Sequence, residues 1–335
     1  MALDSLKWLY PDYLKLSSLV KEHNNAHGLM LIGHSGIGKR MLAFQLAGDY
    51  LNSNKPKPKN NIKFATANEY LGSDLFHPDC HFVCPKEKKT SIGIDSIREL
   101  KIDCLQKTSV KGKGKVGIIY PAELMQVPAA TSLLKFLEEP QDETLLILIA
   151  ENISNLPETI ISRVQIHKIK NPSTEATIDW LTIEDKQEEW QEIIALFGAR
   201  PLLINELGFE FLHTRIKKIS RDLDSLVLMK SKPSEIASSW PKEDLDMILK
   251  ILYILISKMV SDSIVQDDNH LKYLPRSFQK LNRKDLNYEL CFNYLNEIAS
   301  IRHLLLNKKP LNWSLQITNL LMPIYADLNG LIQHG

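Results

Sequence analysis

Leu29-Met30-Leu31-Ile32 runs without a break into Gly33-His34-Ser35-Gly36-Ile37-Gly38-Lys39-Arg40, and the reading of this stretch decides the fold. A short, wholly apolar run is what a central strand of a parallel sheet needs, because both of its faces are covered. After the loop, Leu42, Ala43, Leu46, Ala47 and Tyr50 recur at helical spacing. Strand, glycine loop and helix form the context in which the phosphate-loop pattern Gly-x-x-x-x-Gly-Lys-[Ser/Thr] rises above chance. Gly33, Gly38 and Lys39 match that pattern, and Gly36 adds slack. Such glycines let backbone N–H groups turn inward onto phosphate oxygens, and the helix N-terminus adds its dipole. The lysine reaches the outer phosphates, and the final hydroxyl ligates Mg²⁺. Here that final position is Arg40, which offers no oxygen and carries a charge that opposes a cation. Taken alone, Gly33–Lys39 is equally readable as a tight turn without a ligand. A nicotinamide-type loop is excluded by the reversed glycine order and by Leu51–Lys57, which has no acid where the ribose partner belongs.

The second acidic position fails as well. Phosphate-loop enzymes end a later strand with Asp, often followed by Glu, to organise Mg²⁺ and water. The strand Val116–Ile119 runs instead into Tyr120, Pro121 and Ala122, and Glu123 comes three residues too late. The chain is therefore expected not to hydrolyse ATP by itself. The retained Lys39 leaves open ATP or ADP binding without Mg²⁺-dependent hydrolysis, or a weakly active ATPase.

Working outward, residues 1–27 read as mainly helical and amphipathic. Asp79–Val83, Val116–Ile119, Leu145–Ala150 and Val164–Ile169 read as further strands, with helices over Ile94–Leu105 and Ala129–Glu139. The latter stops before Pro140, as helices do. Beyond Ile169 only helical periods remain, with connectors at Ser231–Pro241 and Asp267–Arg283. The fold class is α/β followed by all-α. The length of 335 residues suggests two or three domains. The net charge of +1 gives no global drive toward nucleic acid or membrane. No apolar run reaches membrane-spanning length, and the first residues do not read as a signal peptide, so a cytoplasmic protein is expected. Of four cysteines only Cys80 and Cys84 are close. With His77 or His81 they suggest zinc, but no second ligand pair follows, and buried thiols of a strand are expected instead. Lys55–Lys63 and Lys107–Lys115 are basic loops, readable as solvated surface or as a DNA-binding module.

Ser132–Pro140 (SLLKFLEEP), Asn155–Arg163 (NLPETIISR), the intervening Leu145–Ala150, His77–Asp79 and Gly93–Leu100 together resemble the AAA+ ATPase domains of bacterial clamp-loader subunits, and in particular their delta-prime branch. The tail segment LNWSLQITNLLMPI adds to the match. The resemblance covers most of the chain and is strongest from Gly28 to Ile169. It implies an AAA+ domain (1–168), a helical lid (169–210) and a helical collar (211–335) that joins motor (gamma/tau) and delta subunits in a ring. That ring loads the sliding clamp on primed DNA within the polymerase III holoenzyme. The delta-prime branch is commonly nucleotide-inert. The Ser162-Arg163 pair resembles the family's arginine finger, presented in trans to a neighbour's ATP, where a guanidinium stabilises charge on the transferred phosphoryl group. Without the resemblance, Arg163 reads as a surface charge or salt-bridge partner. This chain departs from the family pattern at Val164 (usually Cys) and at Ala150 and Glu151 (usually a Thr or Asn sensor). No cysteine stands in Leu51–Leu71, so the family's zinc module is expected to lack zinc. Arg200 lies near a lid sensor arginine, with helix capping or a surface role as the alternative.

Overall fold

The computed structural model describes residues 6–21, 27–51, 78–86, 89–102, 109, 114–140, 143–154, 156–184, 190–265, 275–279, 286–306, 311–325 and 331. The chain divides into two compact units. One comprises Met1–Asp185 with Ala199–Leu203, the other Lys186–Gly198 with Ile204–Gly335.

The first unit is built on a parallel sheet of β1 (Gly28–Ile32), β2 (Cys80–Val83), β3 (Lys115–Ile119), β4 (Thr144–Ala150) and β5 (Gln165–Lys168), in the order β2-β3-β4-β1-β5. The apolar run that opens the sequence is β1, and every residue of it is buried between β4 and β5. On one face, Met30, Ile32, Ile119, Leu146 and Leu148 share a core with Ile97 and Leu100 of α3 (Ile94–Lys101) and Leu133 and Phe136 of α4 (Val127–Glu138). Helix α2 (Lys39–Leu51) packs against β1, β3 and β4, with Leu42, Leu46 and Tyr50 buried. Helix α1 (Tyr10–Lys21) packs on α2, where Tyr13 and Ser17 donate to the Asp49 carboxylate at 2.7 and 3.0 Å. Each such Leu or Phe side chain contributes roughly 1.5–3 kcal/mol by leaving water, so the doubly covered sheet needs the apolar strands that the sequence supplies.

The edges of the sheet differ from expectation. Cys80 and Cys84 are half-buried thiols, not buried ones, because β2 is an edge strand of the sheet among the described residues. The last strand is also an edge. It is shorter than Val164–Ile169, and Gln165, Ile166 and Lys168 are exposed; polar and charged side chains suit an edge strand. Lys115, read as the end of a basic loop, is instead the first residue of β3 and is buried. Residues 52–77, 103–108 and 110–113 lie outside the described residues, and with them Lys55–Lys63, His77, Cys104 and most of the second basic loop.

The second unit is helical among the described residues. It contains α7 (Trp190–Phe197), most of α8 (Pro201–Leu207), α9 (Phe209–Val227), α10 (Pro233–Ser239), α11 (Leu245–Val265), α12 (Arg276–Gln279), α13 (Tyr288–Leu306) and α14 (Trp313–Leu321). Helix α6 (Thr174–Glu184) belongs to the first unit. Helices α10 and α14 pack together, as do α11 and α13. Arg302 closes on Asp246 at 2.8 Å between α13 and α11. The connector expected at Ser231–Pro241 is in fact α10. Its first residue is Pro233, and the Lys232 N–H donates to the Glu235 carboxylate at 2.9 Å. Those start signals are local, while the Ser-rich surface of the helix hides its buried Ile236 and Ala237. Among the described residues no helix is long and apolar enough to cross a membrane.

Candidate functional site

The glycine loop leaves the carboxyl end of β1, where open α/β sheets bind ligands. Gly36 and Gly38 have φ of +79° and +98°, the left-handed region that a side chain resists. Both are also crowded. A Cβ at Gly36 would sit 2.4 Å from Cβ of Leu203, and one at Gly38 would sit 2.7 Å from Leu9. The Leu202 N–H donates to the Gly36 carbonyl at 3.0 Å, and the Trp8 indole donates to the Ile37 carbonyl at 3.0 Å. The loop is thus clasped by the N-terminal turn on one side and by Ala199–Leu203 on the other.

Lys39 does not extend over the loop. Its Nζ donates back to the carbonyls of Gly33 at 2.5 Å and His34 at 2.7 Å. Burial pushes the amine down to about 8, against the nearby carboxylates of Glu151 and Glu123, with Arg200 and Arg40 adding repulsion. The next side chain, Arg40, lies over the Tyr120 ring with its guanidinium carbon 5.0 Å from the centroid, an arrangement that attracts a cation to the ring face. Burial raises the Tyr120 phenol, and the Ser35 hydroxyl hydrogen-bonds to it. The residues at the two positions where the phosphate-loop pattern expects metal ligands therefore contact each other. A guanidinium and a phenol do not fit Mg²⁺, a hard cation that takes oxygen ligands and carboxylates.

Glu123 matters more than its spacing suggests. The 3₁₀ turn Ala122–Leu124 swings it back toward the carboxyl edge, and its Oε1 accepts the Glu151 N–H at 3.0 Å. Among the described residues its other oxygen is buried without a hydrogen-bond partner, as is Nε of Arg200. Ala150 is fully buried and offers no polar side chain at the end of β4. Gly33, Gly36, Gly38 and Lys39 are thus brought together with Arg40, Tyr120, Glu123, Glu151 and Arg200. Sequence reasoning undervalued Glu123 and left Arg200 open. The only local signal for Glu123 is the short turn after β3. Arg200 had none, since it arrives from a distant segment.

Ser162 and Arg163 stand elsewhere. They follow α5 (Glu158–Ile161), and Ser162 Oγ donates to the Thr159 carbonyl at 3.2 Å. The strand after Arg163 pairs with the start of β1, Gln165 opposite Leu29. The Arg163 carbonyl comes within 3.5 Å of the position a Gly28 Cβ would take. Arg163 and the glycine loop are therefore at opposite ends of β1, about 16 Å apart at roughly 3.3 Å per residue. The Arg163 guanidinium pairs with Glu138 at 2.8 Å and donates to the Thr159 carbonyl at 3.0 Å and the Ser162 hydroxyl at 3.2 Å. Among the described residues no group of His, Cys, Asp and Glu is placed to hold a metal ion.

The family model described as "DNA polymerase III, delta subunit" matches residues 12–173. The DNA polymerase III subunit delta' of Pseudomonas aeruginosa is 31% identical over 235 residues, covering 69% of this chain and 71% of that protein. The Escherichia coli subunit of the same name is 29% identical over 53% of this chain and 52% of its own length. The Bacillus subtilis subunit is 31% identical over 56% of this chain and 55% of its own length. The match to the Pseudomonas protein extends well past the sheet unit into the helical one. On the identity and coverage of these relatives, the chain belongs to the delta-prime family of DNA polymerase III subunits.

Proposed function

We propose that this chain is a non-hydrolysing subunit of the DNA polymerase III clamp loader and supplies Arg163 as an arginine finger to a neighbouring ATPase subunit. The observation that carries the reading is the separation of the two halves of the site. Arg163 stands a full strand length from the chain's own phosphate loop, so it cannot act there. The loop itself has Arg40 and Tyr120 where the pattern calls for a Ser or Thr hydroxyl and a carboxylate. An exposed arginine a strand length away from its own glycine loop fits action in trans, where such a group is worth about 10³–10⁵ in rate.

On this reading the first part of the chain is an AAA+ domain (1–168), followed by a lid (169–210) and a collar (211–335). Its partners are the motor (gamma/tau) and delta subunits, with the sliding clamp and primed DNA met through the complex. It works in the cytoplasm, needs no cofactor and holds no zinc. The test is reconstitution with the motor and delta subunits, followed by ATPase assay with clamp and primed DNA. The isolated chain shows no Mg²⁺-dependent turnover. Arg163→Ala lowers turnover by the complex and leaves assembly intact. Turnover by the isolated chain that Lys39→Ala abolishes, or a complex indifferent to Arg163→Ala, sinks the proposal.

A further inference from the structure

Arg163 is anchored by its own subunit, and the anchor has a chemistry that a phosphate can replace. One guanidinium nitrogen, Nη2, lies 2.8 Å from Oε1 of Glu138, the last residue of α4. The other, Nη1, donates to the Thr159 carbonyl of α5 and to the Ser162 hydroxyl. Acceptors from two helices thus fix the fork in one direction. A carboxylate and a phosphoryl group compete for the same fork, because both present paired oxygens at the spacing of its N–H groups. The Arg163 and Glu138 side chains are 37% and 49% exposed. An ion pair this open holds weakly, and an incoming anion can reach it. A buried pair would not release.

We propose that Glu138 is a positioning residue that parks the Arg163 guanidinium on its own subunit until the phosphate of a nucleotide on the neighbouring subunit displaces it. The inference rests on the reading of Arg163 as a finger and adds a resting state to it. The resting complex then has only a minor fraction of its fingers free, and turnover at the shared site is reduced by that fraction. Clamp and primed DNA would act by bringing the neighbouring phosphate close enough to outcompete the carboxylate.

Glu138→Gln keeps the size of the side chain and removes its charge. In the complex with motor and delta subunits, without clamp or DNA, the variant turns over ATP up to about fivefold faster. The change falls on kcat and not on KM for ATP. It vanishes in the Arg163→Ala background, and the thermal midpoint of the isolated chain is unchanged. Resting turnover that is unchanged or lowered by Glu138→Gln, while Arg163→Ala still slows the complex, overturns the parking and leaves the finger standing. A gain that survives Arg163→Ala overturns it too, since Glu138 then acts through something else. If Arg163→Ala has no effect, the finger itself fails and takes the parking with it.

Discussion

Replacing Lys39 with methionine removes the ammonium and keeps most of the side chain's length. Lys39 is only 4% exposed and braces two carbonyls of its own loop. Burial holds its amine at about 8, against 10.5 in the ordinary case. Between those two values the unfolded chain binds more protons than the fold, so stability rises with pH across that window. The ammonium costs the fold about 3 kcal/mol below pH 8, and about 2 kcal/mol of that is recovered between pH 8 and pH 10. Methionine binds no proton in either state and contributes no slope. Tyr13 and Tyr50, whose phenols burial raises to about 12, act in the opposite sense above pH 10, and they are common to both proteins. The assay is urea unfolding followed by tryptophan fluorescence at pH 7, 8, 9 and 10, for wild type and Lys39→Met. Wild-type stability minus variant stability should climb by about 2 kcal/mol from pH 8 to pH 10. A difference that stays flat refutes the reasoning and means that the ammonium is hydrated.

The same loop makes a steric prediction. Gly36→Ala combines a φ of +79° with a Cβ 2.4 Å from Leu203, and should cost about 1–3 kcal/mol in denaturant unfolding; wild-type stability would mean that Leu203 is not seated on the loop. Leu148→Ala, in fully buried β4, should cost about 2–5 kcal/mol in the same measurement. Arg40→Ser returns the missing hydroxyl but leaves Tyr120 where the acid belongs, so phosphate release by the isolated chain with Mg²⁺ should stay at background. Turnover by that single variant would show that Tyr120 is no obstacle.

What the sequence disclosed divides along a physical line. The buried strands were legible because burial on both faces forces a continuous apolar run, and β1, β3 and β4 supply one each. Helix α4 was legible to within two residues because Pro140 bounds it. The damage at Arg40 and Tyr120 was readable from residue type alone. Their contact was not, since it joins the first turn of α2 to the residue after β3. The edge strands were misjudged at Cys80 and Cys84 because exposure depends on sheet order, which no local window contains. Arg200 and Leu203 reach the loop from more than 160 positions downstream, and Glu138 meets Arg163 from a different helix. Helix α10 was hidden because its buried positions are few and small.

The stacking of Arg40 on Tyr120 bears on what it would take to build a metal site at this loop. Serine at 40 alone takes the cation from the ring and restores no acid. Aspartate at 120 alone faces a guanidinium, which would neutralise it as an ion pair and keep a metal away. On the proposed reading, each single substitution toward a metal site meets an unsuited partner, so the two positions would have to change together. A contact of 5.0 Å thereby couples position 40 to position 120.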